Sequence, residues 1–201
     1  MVIAYHLIFT TYGFWLPNDP RGSWSNLVRS LDLYRAAGPA TKVSTHRSLA
    51  AVPHNRSARL EAKAALHYPP VTFSPPQIAA VGEGFAASVA RSRFIIHACS
   101  ILPTHVHAVV KRHVYDIETV MNQLKGQAST ALTRANLHPF QNTLLPGGKR
   151  HSPWAEEGWD VYLNNEAAIR RSMAYVENNP VKEGLAPQHW PFITPYDPRA
   201  Q

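Results

Sequence analysis

Cysteine is nearly absent from this chain: Cys99 is the only one in 201 residues. No disulfide can form within the chain, and thiolate zinc clusters are excluded, which fits a reducing compartment. Acidic residues are scarce as well, thirteen Asp and Glu against twenty Lys and Arg, for a formal net charge of +7. The imbalance is local. From Arg21 to His113 the only acidic residues are Asp32, Glu61 and Glu83. A basic balance favours polyanionic partners, chiefly nucleic acid, but it also fits a solvated basic surface. No apolar run approaches the ~20 residues that span a bilayer. The N-terminus, Met1 to Leu7, lacks a basic leader and reads as a strand, so a soluble cytoplasmic protein is expected. There is no internal repeat, no low-complexity tract and no His-Glu-x-x-His metallohydrolase pattern.

Aromatic residues, proline and histidine are plentiful: five Trp, eight Tyr, seven Phe, seventeen Pro and eleven His. The length suits one domain with a proper core. Residues 2–12 alternate apolar and β-forming side chains and predict a central strand. Gly13 to Ser25 is rich in turn residues, around Pro17-Asn18-Asp19-Pro20-Arg21-Gly22. Residues 26–75 read as a basic excursion with one short helix near Ser57–Leu66, too poor in large apolar residues for a core of its own. Ser74 then caps a helix to about Ser92, with Ile78, Val81, Phe85 and Val89 facing inward. Phe94–Leu102 and His105–Arg112, joined by Pro103-Thr104, predict an antiparallel pair. Asp116 caps a helix over 117–136, with Ile117, Val120, Met121, Leu124, Ala128 and Leu132 at core spacing. Trp159–Leu163 is a last short strand. Asn165 caps a third helix through Ile169, Met173 and Val176, which Asn179-Pro180 ends or kinks. Strands interleaved with helices predict an α+β sandwich.

The most informative segment is Pro103-Thr104-His105-Val106-His107-Ala108-Val109-Val110. With a period of two, His105 and His107 project from one face of a strand while Val106, Ala108 and Val110 face the other. Such a pair is half of a metal site, or two ordinary histidines of a core or surface. A second constellation is Tyr175-Val176-Glu177-Asn178-Asn179-Pro180-Val181-Lys182-Glu183-Gly184-Leu185. Tyr175 and Asn179, four apart, share a helix face. By spacing alone they also fit a core tyrosine and a helix-terminal asparagine. Gly147-Gly148-Lys149-Arg150-His151 falls short of a phosphate-loop pattern.

Taken together, Pro-x-His-Val-His and the later Tyr-Val-x-x-Asn-Pro-Val-Lys-x-Gly-Leu resemble the single-tyrosine HUH transposases, and within them the REP-associated tyrosine transposase branch. The run Thr11-Tyr12-Gly13-Phe14-Trp15-Leu16-Pro17-Asn18-Asp19-Pro20-Arg21-Gly22 is similar to a common start in that branch, as are Leu124-Lys125-Gly126 and Trp190-Pro191-Phe192. The resemblance spans nearly the whole chain outside 26–75. It implies a ferredoxin-like antiparallel sheet covered by helices, forming one transposase-like HUH domain over residues 1–201. It implies His105 and His107 as metal ligands, Asn179 as a polar third ligand, and Tyr175 as the nucleophile. The implied activity is cleavage and joining of single-stranded DNA with Mg2+ or Mn2+, through a 5′-phosphotyrosine and a free 3′-hydroxyl. The implied partner is single-stranded or hairpin DNA, bound by a monomer or homodimer.

That chemistry suits the residues. A free phenol ionises only near pH ~10 and is a weak nucleophile at neutral pH, so a divalent cation polarising the scissile phosphate would help it. Thr104 departs from the Asn or Asp that often precedes the first histidine, but its side chain should face away. Arg21, Arg29, Arg35, Arg47 and Arg56 are expected to grip DNA backbone from in and beside the excursion, unless that segment is merely solvated. Lys182 is expected at the DNA, and Lys125 either touches the scissile phosphate or faces solvent. Trp15, Trp24, Trp154 and Trp159 are candidates for stacking on unpaired bases. The competing functional classes are a hairpin-binding protein without catalysis and a zinc hydrolase built on His105 and His107.

Overall fold

The structure is a computed structural model that describes residues 1–45, 49 and 52–199. Its contacts divide the chain into two compact units, Met1–Thr10 with Thr72–Gln201, and Thr11–Val71.

The larger unit is built on four strands, β1 (Ala4–Thr11), β2 (Ile96–Ile101), β3 (His105–Lys111) and β4 (Trp154–Leu163), in the spatial order β2-β3-β1-β4. β1 and β2 both run antiparallel to β3, with Ile8 and Ser100 opposite His107. Ile3 N–H donates to the Leu163 carbonyl at 2.9 Å, tying the start of β1 to the end of β4. Two long helices, α3 (Pro75–Ser92) and α4 (Ile117–Arg134), connect these strands, giving the β-α-β-β-α-β order of a ferredoxin-like sheet. A further helix, α5 (Glu166–Lys182), follows β4. This is an α+β fold with a central first strand, as the pattern predicts.

Strand alternation sorts the residues between two layers. Leu7, Phe9, Val106, Ala108 and Ile101 are buried on the face of α3 and α4, where the Phe9 ring meets Phe85 and Trp154. Ala4, Ala98 and Val109 pack on the other face with Leu163 and with Ile169 and Val176 of α5. Caps start the helices where the sequence places them. Ser74 and Gln77 form a capping box, and the Asp116 and Asn165 side chains accept from the backbone N–H three residues on.

Three local expectations need correction. In α3, Val81 and Phe85 are buried but Ile78 and Val89 are only half-buried; Ala80, Gly82, Gly84 and Ser88 complete the inner face. Gly84 lets α3 and α4 approach closely, since a Cβ there would sit 2.5 Å from Ala128 Cα, while a Cβ on Gly82 would meet the Trp190 ring. β4 begins at Trp154, five residues earlier than the alternation suggests. Finally, α5 runs through Pro180 to Lys182. Pro180 lies in the last turn and is buried, so loss of one backbone bond is offset by burial of the ring.

The smaller unit closes at its neck, where Thr11 Oγ1 donates to the Val71 carbonyl and Val71 N–H to that of Tyr12. It holds two short helices, α1 (Leu31–Ala37), which periodicity did not reveal, and α2 (Arg56–Ala64), capped by Asn55. The excursion does possess a small core, made of Leu16, Val28, Leu33 and Ala62. It escapes a reading of 26–75 alone because Leu16 belongs to the turn-rich stretch before it.

Gly84→Ala tests the close helix contact. Helix propensity alone favours alanine by ~1 kcal/mol, but the clash with Ala128 backbone is expected to cost ~1–3 kcal/mol. Urea unfolding should therefore show a net loss of stability; a gain would contradict the close packing.

Candidate active site

The register of β1 against β3 creates the site. Ile8 stands opposite His107, so His6, two residues earlier, shares a sheet face with His105 and His107. The His6 Nε2 and His107 Nδ1 atoms lie 3.0 Å apart in a hydrogen bond. Ring centroids are 5.2 Å apart for His6 and His107 and 5.0 Å for His105 and His107. Sequence reading missed His6, although Tyr5-His6-Leu7 lies within the first predicted strand. Its partner, a hundred residues away, becomes visible only once register is known.

Helix α5 lies over these rings. Tyr175 stands 5.4 Å from His107 and 5.7 Å from His6, centroid to centroid, and is 42% exposed, so a substrate can reach it. Asn179, one turn on, is buried, and its Nδ2 has no hydrogen-bond partner. Ser100, opposite His107 on β2, likewise has a buried hydroxyl without a partner. Lys182 Nζ lies 4.9 Å over the Tyr175 ring, placing a positive charge beside the phenol. Sequence spacing put Tyr175 and Asn179 on one helix face, and tertiary packing brings Tyr175 to the histidines.

Burial sets the electrostatics. Desolvation pushes His6 and His105 down to about 4. His107 is held well below its usual value, first by burial and then by the two neighbouring imidazoles. All three rings are therefore neutral at pH 7. Among the described residues no group of three or more His, Cys, Asp or Glu is gathered as a metal site. The donors present are imidazole nitrogen and an asparagine amide. An asparagine offers a metal its carboxamide oxygen and not its NH2 nitrogen, so the donor types present are imidazole nitrogen and amide oxygen, a mixed set that Mn2+ suits better than Mg2+.

Other expected site residues lie elsewhere. Lys125 is on the opposite layer, near Phe9, with Nζ donating to the carbonyls of Ala155, Glu156 and Glu157 at 2.9, 3.1 and 3.3 Å. Burial lowers it to about 8. It neither reaches the histidines nor faces solvent; it fastens the start of β4 to α4. Arg21 is also buried, donating from Nε and Nη2 to the Asp19 carboxylate at 2.8 and 2.7 Å with its guanidinium over Trp15. That pairing leaves it unsuited to a phosphate contact. Arg29, Arg35 and Arg56 are exposed in the smaller unit, Arg35 beside Asp32. Arg47 lies outside the described residues. Trp154 is buried between Phe9 and Phe73 and cannot stack on a base, whereas Trp24 and Trp159 are half-exposed.

Neither a protein-family model nor a curated protein matches the chain. One similar solved structure is described as "Structure of the REP associates tyrosine transposase bound to a REP hairpin". It is 15% identical, with a TM-score of 0.47, over 94% of this chain and 74% of that chain. A likeness of that size leaves the chemistry to the residues themselves.

The buried imidazoles make stability depend on pH. Unfolded, each histidine takes up a proton near its ordinary value of ~6.5; folded, His6 and His105 refuse it until about 4, and His107 is likewise held well below its ordinary value. Between those values the unfolded chain binds more protons, so stability rises with pH across the window and levels above ~7. The slope is at most ~1.4 kcal/mol per pH unit for each histidine. Urea midpoints measured across this range should show the rise, and His6→Gln should flatten it. An unchanged slope in His6→Gln would mean that His6 is solvated.

Proposed function

We propose that the chain is a metal-dependent single-strand DNA endonuclease and strand transferase in which Tyr175 forms a 5′-phosphotyrosine. The observation that carries this reading is the accessible Tyr175 phenol standing against His107 and His6, one helical turn before a buried asparagine amide. Tyr175 Oη attacks the scissile phosphorus, and its proton passes to water at the exposed edge of the ring. The bond from phosphorus to the 3′ oxygen breaks, and that oxygen takes up a proton as a free 3′-hydroxyl. In the reverse sense, a 3′-hydroxyl from another strand attacks the phosphotyrosine and restores Tyr175. The covalent ester keeps the energy of the broken bond, so joining needs no further cofactor.

The surrounding residues have distinct tasks. His105, His107 and Asn179 would hold a divalent cation, which supplies Lewis-acid polarisation of the phosphate when bound. His6, bonded to His107 Nδ1, orients that ring and leaves Nε2 as the nitrogen outside that bond. Lys182 places positive charge beside Tyr175, where an incoming phosphodiester brings negative charge. Arg29, Arg35 and Arg56 are assigned to the DNA backbone, in keeping with their exposure. No described helix is long and apolar enough to cross a membrane. The competing reading is a hairpin-DNA-binding protein without cleavage, which the uncharged donor set favours because no carboxylate joins the imidazoles among the described residues.

A labelled single strand incubated with Mn2+ separates the two. Wild-type protein should give an adduct that survives denaturation, and chelation should abolish it. Tyr175→Phe should lower its yield at least ~10³-fold with strand binding intact. Cleavage that persists in Tyr175→Phe would overturn the assignment of the nucleophile, and binding without any adduct would support the non-catalytic reading.

A further inference from the structure

Beyond α5 the chain returns along the edge strand β2, where Ile193 pairs in parallel with Ile96. Thr194 N–H donates to the Ile96 carbonyl at 2.9 Å, and His97 Nδ1 lies 2.9 Å from the Thr194 carbonyl. A carbonyl only accepts, so Nδ1 carries the ring proton of His97. Further back, the Gln188 side chain accepts from Ile101 N–H at 2.8 Å and donates to the Ile101 carbonyl at 2.7 Å. These bonds hold Thr194, Pro195, Tyr196 and Asp197 over the end of the sheet, where they roof a cavity of about 70 Å³. The cavity lies at the far end of β3 from the imidazoles. Lys111, opposite Ala4, stands four residues beyond His107, a distance of ~13 Å along the strand.

Two kinds of wall enclose it. Ile3, Ala4, Ile95 and Ile169 form an apolar side. On the polar side stand Lys111 and Tyr196, and the Tyr196 hydroxyl is buried without a hydrogen-bond partner. The Tyr196 ring is set edge-on against His97, with centroids 5.2 Å apart. A buried hydroxyl left unpaired is unfavourable, so this one calls for an acceptor inside the cavity. The charge of Lys111 acts on the same wall: burial lowers His97, the bond to Thr194 raises it, and Lys111 lowers it again. An ammonium has several protons to donate, so Lys111 can serve a guest whatever else it touches. Asp197 also lines the cavity, with its carboxylate 3.6 Å from Arg199 Nε.

Size restricts the guest. The cavity is about twice the ~30 Å³ share of one water and half of the ~150 Å³ that admits benzene. An apolar guest would leave Tyr196 unpaired, and a phosphate would press charged oxygens against isoleucine side chains. We infer that this cavity binds a small monocarboxylate such as acetate, its oxygens accepting from Tyr196 Oη and Lys111 Nζ and its carbon against Ile3, Ile95 and Ile169. The guest touches the roof, the start of β1 and the start of α5, so it fastens the C-terminal segment to the sheet. Nothing in this site depends on DNA cleavage.

The test uses the full chain in carboxylate-free buffer, with acetate as the probe in calorimetric titration and thermal unfolding, and chloride replaced by acetate at constant ionic strength. Wild-type protein should bind acetate with a Kd near ~1 mM, within reach of so small a ligand, and its Tm should rise as acetate is added. Tyr196→Phe removes only the phenol oxygen. It should weaken acetate at least ~10-fold and, without acetate, unfold no earlier than wild type. Lys111→Gln should weaken acetate as well, and benzoate should not bind. Absence of acetate binding by folded wild-type protein would overturn the site, as would an affinity unchanged in Tyr196→Phe. Earlier unfolding of Tyr196→Phe in plain buffer would assign the phenol to the fold and overturn it too. An equal rise in Tm with phosphate, or benzoate binding as tightly as acetate, would overturn the choice of a small carboxylate.

Discussion

The antiparallel pairing of β1 with β3 is the constraint on which the rest of the site depends. It brings His6 to His107 across a hundred residues of intervening chain and stacks three imidazoles on one sheet face. A shift of one residue in that register would carry His6 to the α3–α4 layer and Leu7 or Phe9 out of it. The apolar residues that hold the register, Leu7, Phe9, Val106 and Ala108, are all buried. The hydrophobic side of the sheet thus sets the geometry of its polar side. Helix α5 follows the same logic, since Ile169 and Val176 anchor it over Ala98 and Val109 and so carry Tyr175 to the rings.

That polar face runs against the usual economy of a core. Three histidines, Asn179 and Ser100 are buried or nearly so, and the Asn179 amide nitrogen and Ser100 hydroxyl lack partners. Unpaired buried groups each cost ~1–3 kcal/mol. Such concentrations of unsatisfied polarity are tolerated where a ligand completes them, and local rules fail most informatively at functional sites. Elsewhere the same layers obey the rules closely, with Gly84 trimmed to let α3 meet α4 and Lys125 spending all three ammonium protons on carbonyls.

The residues misjudged from sequence share one cause. Lys125 and Arg21 are charged, and charged side chains are ordinarily at the surface. Each is buried because a partner set exists only in the fold: three carbonyls of β4 for Lys125, and the Asp19 carboxylate with the Trp15 ring for Arg21. Asp19 lies two residues from Arg21, yet whether such a neighbour pairs or points away depends on the surrounding turn. Helix α1 escaped notice for a related reason. Seven residues carry too little periodicity to stand out, and Leu33 finds its core only in company with Leu16 and Ala62.

Local geometry was therefore legible where a repeat rule governs it. The strand period of two directed His105 and His107 to one face, the helical period placed Tyr175 beside Asn179, and Ser74, Asp116 and Asn165 marked helix starts through their own side chains. These properties depend on neighbours within a few residues, so a sequence determines them by itself. Tertiary structure alone decided that α5 lies over β3, that His6 joins the pair, and that Tyr196 roofs a cavity beside Lys111. Those juxtapositions come from the register and packing of segments far apart in the chain. They are fixed by the burial of residues that take no part in the site.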